Sequence, residues 1–128
     1  MKILGIGVDI IENKRIKSSI RNHKFKDRIY SPKELKQSIL SKDKVKYFSK
    51  RFAAKEAFAK ALGTGFRNNL NFRDIEIIND KLGKPYYAKT KKIKKLIKKE
   101  FKVKSFNCFL SISDEKNYST AFTIIQSI

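Results

Sequence analysis

Apolar residues first alternate with small or polar ones and then fall at helical spacing, and this switch sets the expected order of elements. Residues 2–12 predict a strand with Leu4, Ile6, Val8 and Ile10 on one face. Gly5, Gly7 and Asp9 occupy the other face. Two positions without side chains, followed by a carboxylate, leave room for another element or a ligand to come close. Asn13 is placed to cap a basic helix carrying Ile16, Ile20, Phe25 and Ile29, residues that suit either the core or a partner. Ser31-Pro32-Lys33-Glu34 forms a capping box with proline at the first helical position, starting a helix over about 32–40.

Ser41 or Asp43 begins a longer helix that passes Val45, Phe48 and Phe52 and ends at Leu62. From Arg51 to Leu62 it has no Gly or Pro, and Gly63 stands where a left-handed terminating residue belongs. Alanines spread around this helix let neighbours approach its backbone. Arg51 and Lys55 share one flank, while Glu56 and Lys60, four residues apart, share another. Residues 73–79 and 85–88 predict two short strands joined by a turn through Asn79-Asp80 and Gly83. Thr90 caps a helix with Ile93, Leu96, Ile97 and Phe101 as its apolar stripe and lysines around the rest. Strands over 103–113 and 118–125 close the chain. The order β-α-α-α-β-β-α-β-β predicts an α+β class, with a mainly antiparallel sheet packed against a long central helix and shorter helices. At 128 residues, a single domain over 1–128 is expected.

Charge narrows the partners. Lys and Arg number 31 against 12 Asp and Glu, a formal charge of +19. Nucleic acid, anionic lipid, acidic proteins and phosphorylated metabolites all suit that excess. No nucleic-acid signature accompanies it, although a basic nucleic-acid-binding domain stays the alternative reading. The one cysteine, Cys108, lies in an apolar run and reads as a reduced, buried thiol, in keeping with the cytoplasm. No stretch has the length of a membrane span, so no membrane is expected.

Read together, three segments resemble the holo-acyl-carrier-protein synthases, the small-type 4′-phosphopantetheinyl transferases. They are Gly5-Ile6-Gly7-Val8-Asp9-Ile10 with Arg15-Ile16, then Arg51 to Phe58 through Gly63-Thr64-Gly65, and Gly83-Lys84-Pro85. The resemblance spans essentially the whole chain. It implies transfer of phosphopantetheine from coenzyme A to a serine of apo-acyl carrier protein, with release of adenosine 3′,5′-bisphosphate. It also implies Mg²⁺ and a homotrimer with coenzyme A between protomers.

On the same resemblance, Asp9 and Glu56 hold the metal. Each carboxylate alone would repel a diphosphate by about 4 kcal/mol at about 4 Å and an effective dielectric near about 20, and Mg²⁺ reverses that sign. Lys55 is expected to stabilise the reacting phosphate. Gly63, Thr64, Gly65, Gly83, Lys84 and Pro85 shape the nucleotide cleft, and Arg51 is a candidate for the 3′-phosphate. Arg15, Lys24, Phe25 and Arg28 form the docking surface for the acidic carrier protein. One departure stands out: where the family commonly has histidine after Ser-X-Ser/Thr, this chain has Asp114. That residue is open between an acidic ligand, a base acting through water and a turn residue. The base for the carrier serine is likewise open among Asp114, Glu56 and a water on the metal.

Overall fold

The chain, described over residues 1–128 in a computed structural model, runs β1 (Lys2–Glu12), α1 (Asn13–Ser19), α2 (His23–Ile29), α3 (Pro32–Ser38) and α4 (Lys44–Leu62). A 3-10 turn at Phe72–Asp74 leads to β2 (Ile77–Asn79), β3 (Pro85–Tyr87), α5 (Lys91–Phe101), β4 (Phe106–Asp114) and β5 (Tyr118–Ser127). The class is α+β, as the pattern predicts. The main sheet is antiparallel in the order β1-β5-β4, and β2 pairs with β3 in a second, two-stranded sheet.

The alanine helix and the glycine strand explain each other. A Cβ built on Gly5 would stand 1.8 Å from the Ala61 carbonyl oxygen, and one on Gly7 would stand 1.9 Å from that of Ala57. The bare face of β1 therefore receives α4, not a ligand. Leu4 sits at a register shift between Ile3 and Gly5, which turns it toward the core, where it packs half-buried. The other apolar members of that strand face outward, with Ile6 60%, Val8 55% and Ile10 65% exposed. Register sets Val8 beside Phe122, and Ile6 in one row with Ile124 and Phe109. The main sheet thus presents a second apolar face on the side away from α4.

Caps hold where side chains act locally. Ser31 Oγ accepts from the Glu34 N–H at 3.1 Å, and Glu34 Oε1 accepts from the Ser31 N–H at 2.9 Å. Asp43 caps α4, Thr90 caps α5, and Gly63 ends α4 at φ 88°. Ile93 and Ile97 of α5 are buried, leaving its lysines outside.

Three local expectations change. The helix expected from Asn13 is two helices, because Asn22 caps α2 by accepting from the Lys24 N–H at 2.9 Å. Asn13 is buried and does not cap. Its amide donates to the Glu115 and Lys116 carbonyls at 3.2 Å, and its oxygen accepts from Ser119 at 2.7 Å, holding the β4–β5 turn. The strand expected over 73–79 forms only at Ile77–Asn79, because Asp74 folds back to accept from the Asn71 N–H at 2.8 Å and favours a turn. No helix is long and apolar enough to cross a membrane.

Candidate active site

Asp9 lies on the inward face of β1, beside the glycines that admit α4, and Glu56 lies on the flank of α4 turned toward it. Burial pushes the Asp9 carboxyl above its ordinary range, and Lys60 and Arg15 pull it partly back. Glu56 is pushed up first by burial and then by the Asp9 charge, with the same two cations opposing. Two carboxylates far apart in sequence thus feel each other in a half-buried setting. No group of three or more His, Cys, Asp or Glu residues gathers anywhere in the chain. Paired oxygen donors of this kind fit Mg²⁺, which takes one or two carboxylates and completes its shell with phosphate oxygens and water.

The lysine at this pair is Lys60. Its ammonium donates to Asp9 Oδ1 at 3.2 Å and to the Val8 carbonyl at 3.0 Å, while its side chain stays 55% exposed. It was absent from the expected site. The available signal was its position one helical turn after Glu56, which brings it to the same flank.

Lys55 occupies a different place from the one expected. It is fully buried, and its ammonium donates to Glu34 Oε1 at 2.7 Å, to the Phe72 carbonyl at 3.0 Å and to the Ile75 carbonyl. Burial lowers its pKa, and the neighbouring Glu34 carboxylate acts against that shift. With every ammonium hydrogen engaged inside the protein, Lys55 has none left for a phosphate. Its expected role as a phosphate ligand does not match the structure.

Arg51 also points away from Glu56, being five residues and about 140° away around the helix. It is 5% exposed, stacks on Tyr47 with its guanidinium carbon 3.8 Å from the ring centre, and donates to Asn79 Oδ1 at 3.2 Å. Its Nε is buried without a partner. A cavity of about 420 Å³ opens here, lined by Lys46, Lys50, Arg51 and Asn79 among others. Asp114 pairs with two of these lysines, 3.3 Å from Lys46 and 4.0 Å from Lys50, and itself lines a separate cavity with Ile10 and Tyr118. Asp114, Asp9 and Glu56 do not gather into one cluster within the chain.

The glycine segments divide in the same way. Gly63, Thr64 and Gly65 follow Lys60 at the end of α4, with Gly65 at φ 62° and the Thr64 hydroxyl buried without a partner. Gly83, Lys84 and Pro85 belong to the β2–β3 turn, beyond Asn79. There the Asp80 carboxylate accepts from the Leu82 and Lys84 N–H groups at 2.9 Å, and Gly83 turns at φ 85°.

On the surface expected to dock a carrier, Lys24 and Arg28 are exposed on α2, and Arg15 on α1 lies close enough to bias both carboxylates. Phe25 is half-buried, stacked on Phe52 at 6.3 Å and set edge-on to Tyr30 at 6.4 Å. Cys108 faces the core, and burial pushes its thiol up to about 12, which excludes a thiolate nucleophile near neutral pH.

The chain resembles known proteins along almost its whole length. A holo-[acyl-carrier-protein] synthase of Pelagibacter ubique is 61% identical over 126 residues, covering 98% of each chain. The crystal structure of a holo-[acyl-carrier-protein] synthase from Neisseria meningitidis superposes with a TM-score of 0.88 at 40% identity, covering 98% of this chain and 99% of that one. One from Bacillus anthracis, solved in complex with CoA (3′,5′-ADP), gives a TM-score of 0.82 at 34% identity and full coverage of both chains. The family profile of the 4′-phosphopantetheinyl transferase superfamily matches residues 5–123, and this chain belongs to that superfamily.

Proposed function

We propose that this protein transfers the 4′-phosphopantetheine group of coenzyme A to a serine of apo-acyl carrier protein, with Mg²⁺ at Asp9 and Glu56. The observation that carries this reading is the meeting of those two carboxylates, with Lys60 bound to one of them at 3.2 Å, in a chain of this superfamily. Mg²⁺ held by Asp9 and Glu56 would turn their repulsion of the cofactor's diphosphate into attraction and stabilise charge on the departing phosphate.

The protein's own groups do the rest. Lys60, more than half exposed, moves from Asp9 to the diphosphate as the cofactor arrives and supplies a positive charge there. The carrier serine oxygen forms a bond to the phosphorus that bears the pantetheine arm. The bond from that phosphorus to the bridging oxygen breaks, and adenosine 3′,5′-bisphosphate leaves with the bonding electrons. The serine proton passes to the Glu56 carboxylate, which lies beside the reacting phosphate. Arg15, Lys24 and Arg28 attract the acidic carrier, and the exposed edge of Phe25 meets its apolar surface.

The basic cavity of Arg51, Lys46 and Lys50 receives the cofactor's 3′-phosphate, which gives the unpartnered Arg51 Nε an acceptor. Gly83 to Pro85 border it, and Gly63 to Gly65 border the diphosphate. In one chain these two halves lie on different flanks of α4, and neither carboxylate lines any of the main cavities. A second copy completes the site, so that Asp9, Glu56 and Lys60 of one protomer face the Arg51 cavity of the next. The apolar outer face of Ile6, Val8, Ile10, Phe109 and Phe122 is the seam of the resulting homotrimer, in which it is removed from water. A protonated, buried Cys108 suits the reducing cytoplasm, where coenzyme A and carrier protein meet.

The test is a mass measurement. Protein incubated with coenzyme A, Mg²⁺ and apo-acyl carrier protein should convert the carrier to a species heavier by one phosphopantetheine. An unchanged carrier mass under excess enzyme would reject the reading.

A further inference from the structure

The Lys55–Glu34 ion pair is the most deeply buried charged contact in the molecule, with side chains 0% and 1% exposed. It is also fully bonded. The Lys55 ammonium reaches Glu34 Oε1, the Phe72 carbonyl and the Ile75 carbonyl. Glu34 Oε1 further accepts from the Ser31 N–H at 2.9 Å, and Oε2 accepts from the Ile77 N–H at 3.1 Å. The pair therefore ties α4 to the start of α3, to the Phe72–Asp74 turn and, through Glu34, to the start of β2.

On its other side α4 is held differently. There β1 presents Gly5 and Gly7 to the backbone of Ala57 and Ala61, and the half-exposed Lys60 reaches across to the Val8 carbonyl and Asp9. Such a contact fixes how near α4 comes to β1, while the rotation of the helix about its axis is held by the side chains it buries on its other flanks, Lys55 among them. Glu56 follows Lys55 directly and must face Asp9. A rotation of about 10° carries a carboxylate lying about 6 Å from the axis by about 1 Å. A misplacement of that size costs on the order of 100-fold in rate.

We infer that Lys55 is a positioning residue, and that its buried pair with Glu34 sets the rotation of α4 so that Glu56 meets Asp9. This rests on the proposed reading of Asp9 and Glu56 as the reacting pair. Lys55 touches neither substrate nor reacting atoms and acts only through the helix it anchors. The arrangement divides two lysines of one helix between two tasks, with Lys55 orienting the site from inside and Lys60 serving it from outside.

The experiment is a double-mutant cycle on the full-length protein. Two perturbed forms are made: Glu34→Gln, which is isosteric and keeps an acceptor for Lys55, and Lys55→Met with Glu34→Gln, which leaves no unpaired charge. Each is combined with Glu56→Gln. Transfer to apo-acyl carrier protein is measured per folded molecule, with the folded fraction taken from urea melts followed by circular dichroism. Binding of Mn²⁺, read by electron paramagnetic resonance in the presence of coenzyme A, gives a second readout.

The inference predicts that the perturbed forms lose 10- to 100-fold in kcat, with the KM for carrier within about twofold, and bind Mn²⁺ about tenfold more weakly. On a Glu56→Gln background the same changes should cost less than about threefold in either readout, because the group they position is gone. Losses that multiply in full on that background, or perturbed forms with unchanged kcat and Mn²⁺ affinity per folded molecule, would overturn it. Should Glu56→Gln alone leave transfer and Mn²⁺ binding intact, the underlying reading of the carboxylate pair fails instead, and the two failures are told apart.

Discussion

Gly7 of β1 and Ala57 of α4 meet so closely that a single added methyl on the glycine would stand 1.9 Å from the alanine's carbonyl oxygen. This contact places the inward carboxylate of β1, two residues on, beside the helix flank that carries Glu56. Glycine on the strand and alanine on the facing side of the helix let the two backbones come this close.

Gly7→Ala should therefore destabilise the fold by about 3 kcal/mol or more, since the methyl meets backbone and no flexible side chain can yield. In a thermal melt this appears as a fall of about 10 °C in Tm. A variant that melts with the parent would show that the strand and helix are less tightly opposed.

The two lysines of α4 should separate cleanly by assay. Lys60→Met removes an exposed ammonium and should lower kcat by about 100-fold while shifting stability by less than about 1 kcal/mol. Lys55→Met leaves Glu34 buried without its counter-ion and should cost about 3–5 kcal/mol of stability. Equal thermal stability of the two variants would contradict the placement of these side chains.

That separation marks where sequence reasoning reached its limit. Helical spacing puts Lys55 and Lys60 on different flanks, but it does not say which flank meets Asp9. Glu34 carried a convincing local explanation as half of a capping box, which hid its role as the partner of a lysine 21 residues on. Asn13 misled in the same way, because its bonds go to the β4–β5 turn more than 100 residues away. Elements whose ends are decided within one turn were legible: the Ser31 box, the Thr90 cap and the Gly63 terminus. So was the meeting of Asp9 with Glu56, through the family resemblance. The alternation in β1 revealed two faces. It did not reveal that the glycine face would be the buried one and Ile6, Val8 and Ile10 the exposed one.

Cys108 offers a pH test. An unperturbed cysteine thiol titrates at 9.0 and this one at about 12 in the fold, so the folded state holds the proton more tightly. The resulting contribution to stability is complete below pH 9.0 and is lost as pH rises toward about 12. At pH 8 iodoacetamide should leave the native protein unmodified and react once urea unfolds it. Rapid alkylation of the native protein would contradict the burial of this thiol.

Charge reversal on α2 should act on encounter and not on chemistry. Lys24→Glu with Arg28→Glu should raise the KM for acyl carrier protein about tenfold and leave kcat within about twofold. The parent's advantage over this variant should shrink as salt is added. A loss confined to kcat would place these residues at the reacting centre.

If the site is shared between copies, two inactive variants should rescue each other. Glu56→Gln and Arg51→Gln damage different halves, so equal mixtures refolded together should regain up to about a quarter of parental activity in a cyclic assembly. No recovery from folded, mixed trimers would confine the site to one chain. Val8→Glu should in turn yield a folded, inactive monomer in light scattering.

The most direct test of the central claim follows transfer while Mg²⁺ is titrated, using folded Asp9→Asn and Glu56→Gln proteins and mass detection of the carrier. The account predicts that both variants lose at least about 100-fold in transfer at Mg²⁺ concentrations that saturate the parent, and that chelation silences the parent in the same way. Transfer at the parental rate by both variants would contradict it.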